Sequence, residues 1–368
     1  IKLRKDNIGG KMIYYINALK TDDNTAGPKA PNDIYKLTKE YNGKEIIFNP
    51  FPVNKGRLYQ KAWLLSKGVM QWMKVFSSAK EGDVVVYQHP TYGIGLNAKL
   101  IPLIQKHKKV KFIAAIHDLE SLRMGVQKGV EHNQELTDTA DNKVLRCFDK
   151  IICHNDFMKK YLIEKGFEED KLVSLEIFDY LTDAQMNNQV TDGLAIAGNL
   201  SKGKSTYIYE LLKTNPNYKL NLFGPNFDKS IELGEKIEYF GSFKPEVLPG
   251  ELRGKFGLVW DGESLETCSG NTGNYLRYNN PHKTSLYLAS GIPVIIWKEA
   301  AIARFIEENN AGVVVGSLLE IENVLNNISE EEYAQIKKNA KEIGAKLREG
   351  YYYKKALEKC LEEDKVNE

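Results

Sequence analysis

Lys283, Thr284 and Ser285 open a predicted helix directly after Asn279, Asn280 and Pro281. A helix N-terminus presents unpaired backbone N–H groups and a partial positive charge. A lysine and two hydroxyls placed there make an anion site, most naturally for a phosphate. The element ahead of it is an apolar run, FGLVW over 256–260, which ends in Asp261 and an acidic loop rich in Gly, Ser and Asn. Ligands of open α/β sheets bind beyond the carboxyl ends of the strands, where this loop falls. Asp261 and Glu263 at that end can hold sugar hydroxyls. No DxD pair accompanies them, so no metal is expected. The stretch 256–297 therefore reads as one half of a nucleotide-diphosphate site.

Other loops offer weaker chemistry. Gly198, Asn199, Lys202 and Lys204 follow a strand and lead into a helix. Their loop is neither a Walker A loop nor a GxGxxG turn. A phosphate role for its lysines and an ordinary lysine-rich helix start weigh evenly. The turn over 240–248 could present Phe243 to the face of a base, or simply bury it. In the first half, Gly27 lies between Ala26 and Pro28, where a glycine lets backbone approach a ligand; an ordinary strand-to-helix loop fits as well. Gln88, His89 and Thr91 end one strong strand, and His117 and Asp118 end another. A carboxylate beside a histidine at a strand end is a general-base candidate. The bland alternative is a hydrogen-bonded His117, with Asp118 capping the next helix. His154-Asn155-Asp156 carries the same ambiguity.

The elements that must position these residues alternate strand with helix, which argues for parallel α/β architecture. Strands are predicted over 12–17, 45–48, 83–88, 111–117, 150–154 and 172–175. A second set is predicted over 194–197, 219–223, 237–240, 256–260, 294–297 and 312–315. Helical periodicity fills the gaps, most clearly over 31–41, 56–77, 95–106, 138–148 and 156–165. A polar stretch over 184–192 has no periodicity and reads as a linker. Residues 330–363 form a long, charged helical tail, with Gly344 and Gly350 as expected breaks and 351–353 as an aromatic anchor. Met12 reads as a natural start, with 1–11 a loose arm.

A length of 368 residues suggests two domains. A net charge of +2 gives no reason to expect a nucleic-acid partner. The four cysteines form no CxxC pair and no zinc spacing, which fits a reducing compartment. No apolar run approaches the roughly 20 residues of a membrane span. The basic run over 106–111 resembles a solvated helix end; its other use would be contact with a membrane surface or an anionic carrier.

Two α/β halves, a glycine-asparagine loop opening the second, FGLVW before an acidic loop, and LASGIPV after Lys283 together resemble a GT-B glycosyltransferase. The group it is most similar to is glucosyltransferase-3-like, which includes β-1,6-galactofuranosyltransferases. DVVVYQHPT and FIAAIHD add an independent match in the first half. The resemblance implies two doubly wound domains, over 12–188 and 189–345, with a helix over 346–368 returning to the first. It implies a UDP-sugar donor held by Gly198, Asn199, Lys202, Phe243, Val247, Leu248, Asp261, Lys283 and Thr284. It places an acceptor (glycan, glycolipid or glycoprotein) against Gly27, Gln88, Thr91 and His117, with Asp118 as base and Lys283 serving the leaving group. It also implies inversion without a metal or other cofactor, cytoplasmic work with room for contact at the inner membrane face, and self-association. Three rival functions stay open: a non-hydrolysing UDP-sugar 2-epimerase, a catalytically silent partner subunit that binds glycan or polypeptide, and a nucleotide-binding regulator that binds UDP without turnover.

Overall fold

The computed structural model describes residues 11–18, 27–123, 141–186 and 192–362. The arm over 1–10, the loop over 19–26, the first residues of the helix expected over 138–148, linker residues 187–191 and the tail after 362 lie outside the described residues.

Two six-stranded parallel sheets organise the chain. The first comprises β1 (Ile13–Ala18), β2 (Lys44–Phe48), β3 (Val84–His89), β4 (Lys111–Ile116), β5 (Lys150–Cys153) and β6 (Leu172–Ser174), in the order β2-β1-β3-β4-β5-β6. The second comprises β7 (Leu194–Ala197), β8 (Leu220–Phe223), β9 (Ile237–Gly241), β10 (Phe256–Val259), β11 (Val294–Trp297) and β12 (Gly312–Val315), in the order β12-β11-β10-β7-β8-β9. Every residue of β3, β5, β7, β10 and β11 is buried, because helices cover both faces of a parallel sheet. Strand order reverses between β1 and β3, and again between β7 and β10. Each reversal opens a crevice at the carboxyl edge, the usual ligand position in such sheets.

The expected strands all form, within a residue or two. Two local expectations are corrected. The loop after β10 is not wholly irregular: it contains a helix, Gly270–Tyr275. Gly344 is no break, because the helix Glu330–Arg348 runs through it. A Cβ there would lie 2.1 Å from the Leu288 carbonyl oxygen, so the glycine permits a close crossing of the helix His282–Ala289. The tail is anchored through its aromatic residues, as expected. After Gly350, in the left-handed region at φ 71°, the helix Tyr351–Leu361 buries Tyr352, Tyr353, Ala356, Leu357 and Cys360. It packs against β5, β6 and the helix Lys29–Glu40, so the chain's last helix returns to the first sheet.

Residues 177–182, which leave the first sheet for the second, are tied on several sides. The Asp179 carboxylate accepts from Tyr352 N at 3.2 Å and Tyr353 N at 2.6 Å, meeting the free donors at the start of the returning helix. Leu181 gives its N–H to Asp33 Oδ2 at 3.0 Å, and its carbonyl accepts from Lys29 Nζ at 2.6 Å. Ser285 Oγ donates to the Phe178 carbonyl at 2.6 Å.

This joint sets a pH dependence. Burial pushes the Asp179 carboxyl up to about 8, against the pull of its two N–H donors. Burial also lowers His154 to about 4 and His282 to about 3, so both stay neutral. An unfolded histidine gains its proton near 6.5, so stability falls as pH drops below that value toward 4. Folded Asp179 keeps a proton that the unfolded chain releases near 3.8, so its contribution is lost as pH rises toward 8. Two histidines outweigh one aspartate on the acid side, so the melting temperature should peak near pH 6.5. Asp179→Asn should flatten the decline between pH 6.5 and 8. An unchanged decline in a melting series would refute the assignment.

Candidate active site

The ends of β7 and β10 are adjacent in the second sheet, and the loops that leave them form its crevice. At the β7 end, Ala197 N donates to the Tyr287 hydroxyl at 2.7 Å. Gly198 follows at φ 139°, a backbone that side chains rarely adopt, with open space where a Cβ would stand. At the β10 end, Lys283 Nζ donates to the Trp260 carbonyl at 2.9 Å and pairs with Asp261 Oδ1 at 3.0 Å. Their side chains are 19% and 17% exposed, so the pair sits in the wall of the crevice, within reach of solvent. The sequence assigns these two residues to different parts of a donor, Lys283 to the diphosphate and Asp261 to the sugar. The structure joins them, with Asp261 holding the lysine at the second position of the helix His282–Ala289.

Thr284 follows Lys283 in the same helix. It is fully buried, its hydroxyl meets no partner among the described residues, and its N–H is given to the Pro281 carbonyl at 2.9 Å. It offers the crevice no hydrogen-bonding group in this arrangement.

Around this pair lie the other donor-side residues. Asn199 Oδ1 accepts from Ser201 N at 3.0 Å and from Asn226 Nδ2 at 3.1 Å, which binds the loop after β7 to the loop after β8. Exposed Lys202 pairs with Asp228 at 2.5 Å, and that bond raises its pKa. Phe243 is half-buried, 6.3 Å from Phe223. Val247 is 47% exposed and Leu248 half-buried. Their turn is gripped by the crossover: Tyr180 OH donates to the Pro245 carbonyl at 2.7 Å and Thr182 Oγ1 to the Glu246 carbonyl at 2.9 Å.

In the first sheet, Gln88 Nε2 donates to the Pro31 carbonyl at 3.2 Å, linking the end of β3 to the helix that follows Gly27 and Pro28. That bond orients the amide, so Oε1 faces His117 Nε2 and Nε2 must carry the shared proton. The His117 ring stacks on Phe178 at 5.8 Å. His117 is thus locked in place with its Nε2 proton committed. Asp118, 39% exposed, has Arg123 at 4.0 Å and faces Tyr275, whose pKa burial and the Asp118 charge both raise. Thr91, half-buried, belongs to a hydrogen-bond network at the end of β3: it bonds the Tyr87 hydroxyl and accepts from Asn97 Nδ2 at 3.1 Å.

The loop after β10 joins the two sheets. Asn280 N donates to His154 Nδ1 at 3.0 Å, and Asn280 Nδ2 donates to the His154 carbonyl at 2.5 Å. Asn155 caps its helix through Met158 N and donates to Asn280 Oδ1 at 2.8 Å. Leu119 N donates to the Tyr275 hydroxyl at 2.9 Å. His154 is therefore a neutral structural residue, and the polar loop clamps the carboxyl edges of β4 and β5. Sequence reading had marked both the His154-Asn155 strand end and the Asn279-Asn280-Pro281 loop closure. Their pairing across 125 residues had no local signal.

Two doubly wound six-stranded parallel sheets, with a last helix that returns to the first, form the two-domain architecture of a GT-B glycosyltransferase. Residues 13–177 match the N-terminal domain, and residues 194–360 the C-terminal domain, of the glucosyltransferase 3-like proteins. The chain belongs to this family. It is 34% identical to the beta-1,6-galactofuranosyltransferase WbbI of Escherichia coli K12, covering 96% of this chain and all of that protein. It is 28% identical to Glucosyltransferase 3 of Streptococcus gordonii, over 89% of this chain and 92% of the relative. Its fold is similar to that of HepE from Anabaena, solved in complex with UDP, with a TM-score of 0.57, 13% identity, and 94% and 98% of the two chains covered.

Proposed function

We propose that this glycosyltransferase moves a hexose, glucose or galactofuranose, from a UDP-sugar to a hydroxyl of a glycan, glycolipid or glycoprotein in cytoplasmic assembly of cell-surface polysaccharide or glycoprotein. The observation that carries the reading is Lys283, fixed by Asp261 and the Trp260 carbonyl at the helix start beside the β7/β10 crevice. The transferase activities named for WbbI and Glucosyltransferase 3, and the UDP in HepE, support it.

Asp118 takes the proton of the acceptor hydroxyl, whose oxygen attacks the anomeric carbon with inversion. The bond from that carbon to the diphosphate oxygen breaks, and the electron pair leaves with UDP. Lys283 and the free N–H groups of its helix meet the developing charge, the kind of fixed electrostatic support that dominates many enzymes. The turn over 243–248 contacts the base and Gly198 admits the donor backbone. No metal is assigned a role.

A thermal-shift screen of UDP-sugars tests this. A ligand at a hundred times its Kd stabilises by about 2.7 kcal/mol. UDP-glucose or UDP-galactofuranose should raise the melting temperature, with or without EDTA. A set of uridine nucleotides that produces no shift would end the proposal.

A further inference from the structure

Residues 46–80 contain no Asp or Glu but six Lys and Arg. They form one helical rod along the first sheet, Arg57–Trp63, Leu64–Gly68 and Val69–Ser78. Its inner face is anchored: Trp72 and Val75 are buried, Trp72 meets Phe48 edge-on at 5.3 Å, and the Ser78 carbonyl accepts from Tyr14 OH at 2.8 Å. Its outer face is unusual. Leu58 is 84% exposed and Leu65 74%, with Tyr59, Met70 and Met73 each more than half exposed. Lys55, Arg57, Lys61, Lys67 and Lys74 are exposed among them.

The middle section is a π-helix, whose wider turn re-phases the rod. A Cβ on Gly93 would lie 2.9 Å from Leu64 Cδ2, so Leu64 packs inward while its neighbour Leu65 faces out. Tyr92, 63% exposed, stacks on Phe51 at 4.9 Å and extends the apolar surface to the loop after β3. Soluble chains rarely leave such a patch uncovered. Large apolar and aromatic groups interleaved with Lys and Arg are the composition of a helix that lies in a membrane interface.

We propose that this face docks on an anionic lipid surface. Charge decides between occupants. A second copy meeting this face symmetrically would set lysine against lysine, whereas acidic headgroups complement it. The rod starts at the carboxyl end of β2, and Tyr92 follows β3, so docking turns the edge that carries Gln88 and Asp118 toward the membrane. The acceptor would then be lipid-linked. Only this last step rests on the proposed function; lipid docking does not.

The test is flotation of the full chain with phosphatidylcholine vesicles, with and without phosphatidylglycerol, at low and high salt. The chain should float only with the anionic vesicles, and less at high salt. Changing Lys55, Arg57, Lys61 and Lys67 together to Glu should lower the bound fraction more than about tenfold. Leu58→Ser with Leu65→Ser should also reduce it, while melting temperature and UDP titration match wild type in both variants. No binding, equal binding to neutral vesicles, or indifference to charge reversal would overturn the proposal. So would Leu58→Ser with Leu65→Ser turning a dimer into a monomer while leaving flotation unchanged, which would assign the face to a second copy. Loss of UDP binding with flotation intact would count against the proposed function alone.

Discussion

Lys283→Ala should lower transfer by about a hundred- to a thousandfold, the usual cost of removing one fixed donor from a charge that develops in the transition state. Of the two donor-side lysines, Lys283 is the one whose position the fold controls more closely. It stands on a buried helix, and its ammonium is held between the Trp260 carbonyl and Asp261. Lys202, by contrast, is exposed and already paired with Asp228. Removing Lys283 also leaves Asp261 without its partner beside an incoming diphosphate, so donor affinity should fall as well. Asp261→Asn separates the two effects. If Asp261 only positions the lysine, this variant should bind UDP nearly as wild type and lose turnover more modestly than Lys283→Ala. Equal turnover in Lys283→Ala and wild type would remove the lysine from the chemistry.

Asp118→Asn should reduce transfer by about a hundred- to ten-thousandfold, the range for losing a positioned general base. Its neighbour is poorly placed for that task. His117 Nε2 already carries a proton shared with Gln88, whose own amide is committed to Pro31. Asp118 lies at the carboxyl end of β4 with substantial exposure, so an acceptor hydroxyl can reach it. The amide of the variant keeps the shape and cannot accept the proton. A transfer rate near wild type, measured with saturating donor and acceptor, would place the base elsewhere.

The sheets were readable because their signal is local. Runs such as 84–87 and Val294–Trp297 are apolar throughout, as strands buried on both faces tend to be. The placement of Gly198, Asp261, Gln88 and Asp118 was readable for a related reason: all fall at or just past the carboxyl ends of strands, and in a parallel sheet those ends share one edge. What periodicity cannot encode is pairing between distant segments. The Lys283–Asp261 ion pair depends on how the helix His282–Ala289 returns beside the end of β10, and the Asn155–Asn280 clamp and the capping of the last helix by Asp179 depend on where two half-chains meet. Gly344 misled for a similar reason. Glycine lowers helix propensity, yet here the close approach of Leu288 demands it.

The most direct measurement is calorimetric titration of UDP into wild type, Lys283→Ala and Asp118→Asn side by side. The proposed site predicts that wild type and Asp118→Asn bind alike, while Lys283→Ala binds at least about tenfold more weakly, a difference of about 1.4 kcal/mol. Unchanged binding by Lys283→Ala, or binding lost in Asp118→Asn, would contradict a donor diphosphate seated at the β7/β10 crevice.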